Sequence, residues 1–390
     1  MNFTFSNEQE LFRKNIRQWL ARELTPEFLN LPYEVAGVSV SKEFSAKLGS
    51  QGWIGLAWPR EYGGSALGYM EFLIYREEMV MAGAPIAYHL TAENQMAPSI
   101  MLSGTEEQRR TFIPQIARGE LSICIGYSEP DTGSDLASLK TRAVKDGDQY
   151  IINGVKTWNS GARHSQYVWL AARTNLDVAK HRGISVFLVD MTLPGVTVHP
   201  IENMARVDGF STISFTDVRV PKNALVGDVD QGWYVVAQNL DLERSGIERV
   251  ASNDPVLRAF VEFIKEANIG GKTIASRPAV RHRVADMFIE LEVGKLLAYN
   301  VAWMQSQGMV PNREASVSKV FGTETTQRNA KGMLEILGMY GQLAEGSQYT
   351  PLQGRILRAW YSAISATIAA GTSEIQRNVI AQRGLLLPRG

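Results

Sequence analysis

The chain has 390 residues, 45% of them hydrophobic and 21% charged, with 40 basic and 40 acidic side chains. That supplies apolar material for a large core and for more than one domain. A formal net charge of zero gives no general pull toward nucleic acid or an anionic membrane.

The chain opens Met1-Asn2-Phe3-Thr4-Phe5, without a basic stretch leading into an apolar one, so no secretory signal is expected. No uninterrupted apolar run is long enough to span a bilayer, and a soluble cytoplasmic protein is expected. Ser6 reads as a helix N-cap, followed by apolar residues at helical spacing, Leu11, Ile16, Trp19 and Leu20. Residues 58–64 form a Pro- and Gly-containing loop. Helical periodicity returns over 70–81 and 103–117.

Near Leu121 the texture changes. Residues 144–156 alternate short apolar runs with Asp146-Gly147 and Asn153-Gly154, a hairpin pattern. Strands are predicted over 167–172, 184–189 and 212–215, with Pro194, Pro200 and Pro221 in the connections. The lone cysteine, Cys124, excludes an internal disulfide framework; between Ile123 and Ile125 it reads as a buried thiol. From Gly232 on the pattern is helical, over 233–252, 255–267, 279–306 and 314–337, which predicts a helical bundle. The expected domains are a helical one over 1–121, a β domain over 122–229 and a helical one over 230–390.

Several motifs fail on inspection. Gly270-Gly271-Lys272-Thr273 resembles the end of a phosphate loop, but Glu266 stands where its first glycine belongs. The five histidines lack metal-ligand spacing, and no metal is expected. No Gly-x-Gly-x-x-Gly opens a helix after a strand, so any redox cofactor is held without a Rossmann unit.

Four segments carry a resemblance to one family. They are Tyr127-Ser128-Glu129-Pro130-Asp131-Thr132-Gly133-Ser134-Asp135, Lys156-Thr157-Trp158-Asn159-Ser160-Gly161, Leu240-Asp241-Leu242-Glu243-Arg244, and Ala370-Gly371-Thr372-Ser373-Glu374-Ile375-Gln376-Arg377. Together they resemble the acyl-CoA dehydrogenases, from about residue 8 to 383. The resemblance implies an α+β fold, with an N-terminal α-helical domain, a middle β-barrel-like domain and a C-terminal four-helix bundle. It implies FAD as cofactor, an acyl-CoA thioester as substrate and an electron-transfer flavoprotein as acceptor. A homotetramer is implied, with a heterotetramer as the alternative, and neither nucleic acid nor membrane insertion.

By the same resemblance Tyr127 and Ser128 bond the flavin ring, and Ser134 lies near both the cofactor and the pantetheine arm. Trp158 packs on the flavin edge and Ser160 donates toward N5. Thr372 and Glu374 serve the pyrophosphate and adenosine half. Glu335 and Gly338 serve the FAD of a neighbouring subunit, where the family usually has Gln and a Gly-Gly pair. Leu240, Asp241, Arg244 and Gly371 border the acyl-CoA. The family's Arg-x-x-Phe element is missing from residues 267–271.

Many family members carry their catalytic glutamate where this chain has Ala370. Isovaleryl-type and long-chain-type members carry it on a helix after the β domain instead, and Glu243 falls there. A charge-dense helix read alone makes Glu243 a solvated surface residue; the resemblance and the methyl group at 370 make it the α-proton base, ahead of Asp241 and Glu248. Two carboxylates facing one point in a dry site would raise one another's pKa, so one Glu and one Ala form the consistent pair. The backbone N–H of Ala370 still serves the thioester oxygen. The expected reaction is dehydrogenation to a trans-2-enoyl-CoA. Its alternatives are a half-site subunit of a heteromeric enzyme and an oxidase or monooxygenase on the same fold.

Overall fold

The computed structural model describes residues 4–35, 38–205, 209–242 and 246–388. They group into two compact units, one of residues 1–23, 69–84 and 244–390, the other of 24–68 and 85–243.

The second unit is built on an eight-stranded sheet. Its strands are β1 (Ile123–Gly126), β2 (Arg142–Asp146), β3 (Gln149–Lys156), β4 (Tyr167–Arg173), β5 (Ile184–Asp190), β6 (Val196–Ile201), β7 (Phe210–Pro221) and β8 (Leu225–Val226). The order is β8-β5-β4-β2-β3-β7-β6, with β1 parallel to β4. The predicted hairpin is present: β2 and β3 pair antiparallel from Asp146↔Gln149 to Arg142↔Asn153, and Gly147 takes a φ of +60° at the turn. Strands from both ends of this order feed one core that includes Tyr150, Ile152, Leu170, Phe187, Phe215 and Val220, so the sheet curls around its own interior. Cys124 lies in that core, and burial pushes its thiol up to about 12.

Amide side chains lock helices of the same unit to the sheet and to one another. Gln108, on Glu106–Ala117, donates to the carbonyls of Asn223 (2.9 Å) and Leu225 (2.8 Å). The predicted start of this helix at 103 is corrected: Ser103 ends a preceding helix, and Thr105 opens the new one with a capping box to Gln108. Asn239, on Gly232–Leu242, donates to Ser99 Oγ (3.0 Å) and to the carbonyl of Gln95 (3.2 Å).

The first unit is helical. Helices Asn253–Glu266, Pro278–Ser306, Asn312–Leu337 and Arg355–Ala366 share one core through Phe260, Leu291, Met333 and Ile356, the expected four-helix bundle. The helix predicted over 233–252 is two: Gly232–Leu242 ends in the second unit and Glu248–Ala251 belongs to the first, with Gly246 at φ +40° between them. Helix Asn7–Glu23 has the expected cap, Gln9 N–H donating to Ser6 Oγ at 3.2 Å, and buries Ile16, Trp19 and Leu20. Leu11 is corrected to the exposed face. Its inward place goes to Arg13, which meets Glu77 at 2.8 Å and Glu78 at 2.6 Å; paired charge shares that helix's inner face with the three apolar residues.

Candidate active site

In the second unit the two loops expected at the flavin lie against each other. Residues 127–135 follow β1 and residues 157–161 follow β3. The Thr157 N–H donates to the Ser128 carbonyl at 2.9 Å. Asn159 donates its side-chain amide to the Ile125 carbonyl at 2.6 Å and exchanges two backbone bonds with Ser211. Between these anchors Trp158 stands in the left-handed region, φ +61°, with 59% of its surface exposed. A tryptophan in a β domain ordinarily joins the core; this one is held outside it in a strained backbone, edge-on to Phe210 at 6.0 Å.

Ser128 and Ser160 are half-buried beside it, and Ser134 is exposed in the turn beyond. Tyr127 differs from a simple flavin-facing reading. Its phenol is buried and accepts from Trp169 Nε1 at 3.0 Å, which turns the ring into the core.

Beneath the two loops lies a buried ion pair. Lys156 ends β3 on the same inward face as Tyr150 and Ile152, and its Nζ reaches Glu129 Oε1 at 2.8 Å and the Tyr127 carbonyl at 2.9 Å. Glu129 also accepts from the N–H groups of Lys140 (2.6 Å) and Thr141 (2.8 Å). Burial pulls the Lys156 ammonium down to about 8, against the pull of Glu129. Burial acts to raise Glu129, but the Lys156 charge and the two backbone donors hold it below the usual carboxylate range. Motif reading passes over this pair. Its signal was a lysine at an inward position of an alternating strand.

In the first unit the C-terminal segment makes a tight turn before the helix Ser373–Val379. Ala370 takes φ +54° and Gly371 φ +81°. Gln376 Nε2 donates to the Ala370 carbonyl at 3.0 Å, and the buried Lys319 Nζ donates to the Gly371 carbonyl at 2.8 Å. The Ala370 N–H takes no partner among the described residues. Thr372 caps the helix through the Ile375 N–H at 3.2 Å. Thr372 and Glu374 line one open cleft of about 370 Å³ with Glu324, Arg328 and Thr367. Arg377 reaches Glu324 at 2.8 Å and holds its carboxyl below the usual range. Gln376 belongs to the C-terminal signature, whereas Lys319, which fixes the turn with it, carries no motif role in the sequence.

Glu335 is exposed, 3.8 Å from Lys331, and Gly338 ends its helix at φ +58°. Leu240 and Asp241 belong to the helix Gly232–Leu242, their side chains lying outside what is described, and Glu243 and Arg244 lie outside the described residues. Glu248 faces the buried Arg76 at 3.9 Å.

An exposed indole flanked by hydroxyls, on a loop pinned at both sides, fits an aromatic redox cofactor that needs a flat apolar contact and fixed polar neighbours. Three consecutive matches identify the class. The chain matches the acyl-CoA dehydrogenase N-terminal domain over residues 6–120, the middle domain over 124–218 and the C-terminal domain over 230–385. It is 38% identical to acyl-CoA dehydrogenase FadE26 of Mycobacterium tuberculosis, covering 100% of this chain and 99% of that one. Among solved structures it is similar to the Tcur3481-Tcur3483 steroid ACAD (TM-score 0.90, 31% identity, 100% of both chains). It is similar also to the ChsE4-ChsE5 complex from Mycobacterium tuberculosis (TM-score 0.88, 37% identity, 100% of both chains). The chain belongs to the acyl-CoA dehydrogenase family. It is accordingly an oxidoreductase and a flavoprotein whose cofactor is FAD. No helix among the described residues is long and apolar enough to cross a membrane.

Proposed function

We propose that this protein dehydrogenates an acyl-CoA thioester between its α and β carbons, releasing a trans-2-enoyl-CoA. The observation that carries the reading is the pairing of the two loops in the second unit, which presents Trp158 and Ser128 side by side. Bound FAD supplies the acceptor for the β-hydride. Ser128, Trp158 and Ser160 hold its ring, and Thr372 and Glu374 serve its other half. Glu243 takes the α-proton. The Ala370 N–H, turned out of its own chain's bonding, donates to the thioester oxygen and stabilises the charge that develops there. Its left-handed backbone is kept by Gln376 and Lys319, so the donor is set before substrate arrives. Leu240, Asp241, Arg244, Gly371 and Ser134 border the CoA thioester. An electron-transfer flavoprotein removes the electrons.

The substrate class we infer is a bulky, polycyclic acyl-CoA. Its support is the likeness to the steroid ACAD. The domain layout over 1–121, 122–229 and 230–390 is part of the same proposal.

Glu243→Gln tests the assignment. The variant is expected to retain FAD and to lose acyl-CoA bleaching of the flavin by about 10²–10⁴-fold, the range a positioned general base supplies. Bleaching at more than half the wild-type rate rules Glu243 out as the base. A panel of linear, branched and steroid-derived acyl-CoAs, scored by the same bleaching, tests the substrate class.

A second reading makes the chain one subunit of a heterotetramer rather than a homotetramer. Gly270 and Gly271 occupy the hairpin where the family's Arg-x-x-Phe is absent, both at positive φ, with open space where side chains would stand. Glu335 and Gly338 end a helix beside Met339, which is 85% exposed. Both structural relatives are named for two chains. FAD per protomer in the singly purified chain decides between the two.

A further inference from the structure

We propose that Lys156 is a positioning residue that sets both edges of the flavin site at once. The inference rests on the reading of Ser128 and Trp158 as flavin contacts. An ammonium has three donors. Two go to the Tyr127 carbonyl and to Glu129 Oε1, the groups on either side of Ser128. The next residue along, Thr157, uses its N–H to hold the Ser128 carbonyl itself. Ser128 is therefore the middle of a three-residue stretch whose every member is tied to the end of β3. Trp158 is the residue that follows this end.

Packing does not account for a lysine here. The side chain is wholly buried, and its strand neighbours on that face, Tyr150 and Ile152, are core residues. A methionine would fill such a position without desolvating a charge. What an apolar side chain lacks is the ability to tie two loops together through one atom. Glu129 extends the tie by accepting the N–H groups of Lys140 and Thr141, which closes residues 129–141 onto the start of β2. Trp158 needs such support, because a non-glycine residue in the left-handed region persists only where its surroundings over-determine it. Asn159 and Ser211 pin it from one side, and Lys156 with Thr157 from the other.

The test separates positioning from stability. Full-length wild type, K156M and the double variant K156M/E129Q are purified, and their FAD dissociation constants, bound-flavin spectra and amide exchange over residues 127–141 and 157–161 are measured. K156M strands a buried carboxylate and is expected to melt early. K156M/E129Q carries no stranded charge and is expected to melt above K156M but below wild type, since the new amide can accept only one of the two backbone donors. The amide introduced by E129Q can still accept from the backbone, but the Tyr127 carbonyl has lost its partner. In that variant FAD is expected to bind about tenfold more weakly, the worth of one to two hydrogen bonds. Its bound-flavin band is expected to shift, and the Thr157 amide to exchange faster. FAD affinity within twofold of wild type, with spectrum and exchange unchanged, overturns the proposal. A wild-type flavin that no acyl-CoA bleaches refutes the proposed reaction alone, because the FAD and exchange comparisons still decide the role of Lys156. A wild type with no FAD site overturns both.

Discussion

Glu129→Gln at the buried pair makes a prediction whose size follows from the geometry. Two unit charges 2.8 Å apart attract by about 6 kcal/mol at an effective dielectric constant of 20. The variant does not lose all of it, because Lys156 can discharge instead. Its proton is held with a pKa of about 8, so near neutral pH shedding it costs only about 1 kcal/mol. The ionic part of the penalty is therefore smallest above pH 8 and grows by about 1 kcal/mol for each pH unit below it. The sign follows from proton counting. Between the lower pKa of Lys156 in the variant and about 8, native wild type holds one proton more than the native variant, so the stability gap widens as pH falls. A constant part, about 1–3 kcal/mol, adds at every pH, since the new amide places a donor among donors. Calorimetric melting of wild type and E129Q from pH 6 to 9 reads both parts. The gap in melting temperature should widen by about 2 °C per pH unit below 8 in a chain of this length. A gap that stays level, or widens toward alkaline pH, refutes the buried-pair reasoning.

Two further predictions concern the first unit. Gln376→Leu removes the donor to the Ala370 carbonyl; stability should fall by about 1 kcal/mol, FAD content should hold, and acyl-CoA bleaching should slow about tenfold. Unchanged bleaching would show that the turn keeps its shape without Gln376. Tyr299→Phe deletes the hydroxyl that donates to Glu77 at 2.7 Å, inside the cluster with Arg13, and should cost about 1.5–3 kcal/mol, as for hydrogen bonds to charged groups. Burial and the Glu77 charge push this phenol well above its ordinary range, so the loss should be the same at pH 6 and pH 9. A pH-dependent loss would mean that the phenol ionises.

Period and turn chemistry were enough to read the fold's layers. The hairpin over 144–156 appears where Asp146-Gly147 breaks an alternating pattern, while Asn153-Gly154, read as a second turn, lies inside β3; the strands over 167–173 and 184–190 appear where β-branched and aromatic residues concentrate. Those signals are local, so a linear reading captures them. One error came where a distant partner outweighed local preference. Leu11 lost the inner face of its helix to Arg13, because Glu77 and Glu78, more than sixty residues away, repaid the burial of the charge.

The same division runs through the site. Sequence alone named Ser128, Trp158, Ala370, Thr372 and Glu374, since short motifs record which chemical groups a flavin and a thioester require. It could not show that Trp158 stands in solvent, that the Tyr127 phenol turns inward, or that Lys156 and Glu129 bind the two loops from beneath. Exposure and charge pairing depend on which segments meet, and the pairing of β3 with β7 and the return of residues 127–141 over its end decide that. Residue types are written along the chain; the balance between desolvation and a partner's charge exists only once the chain has closed on itself.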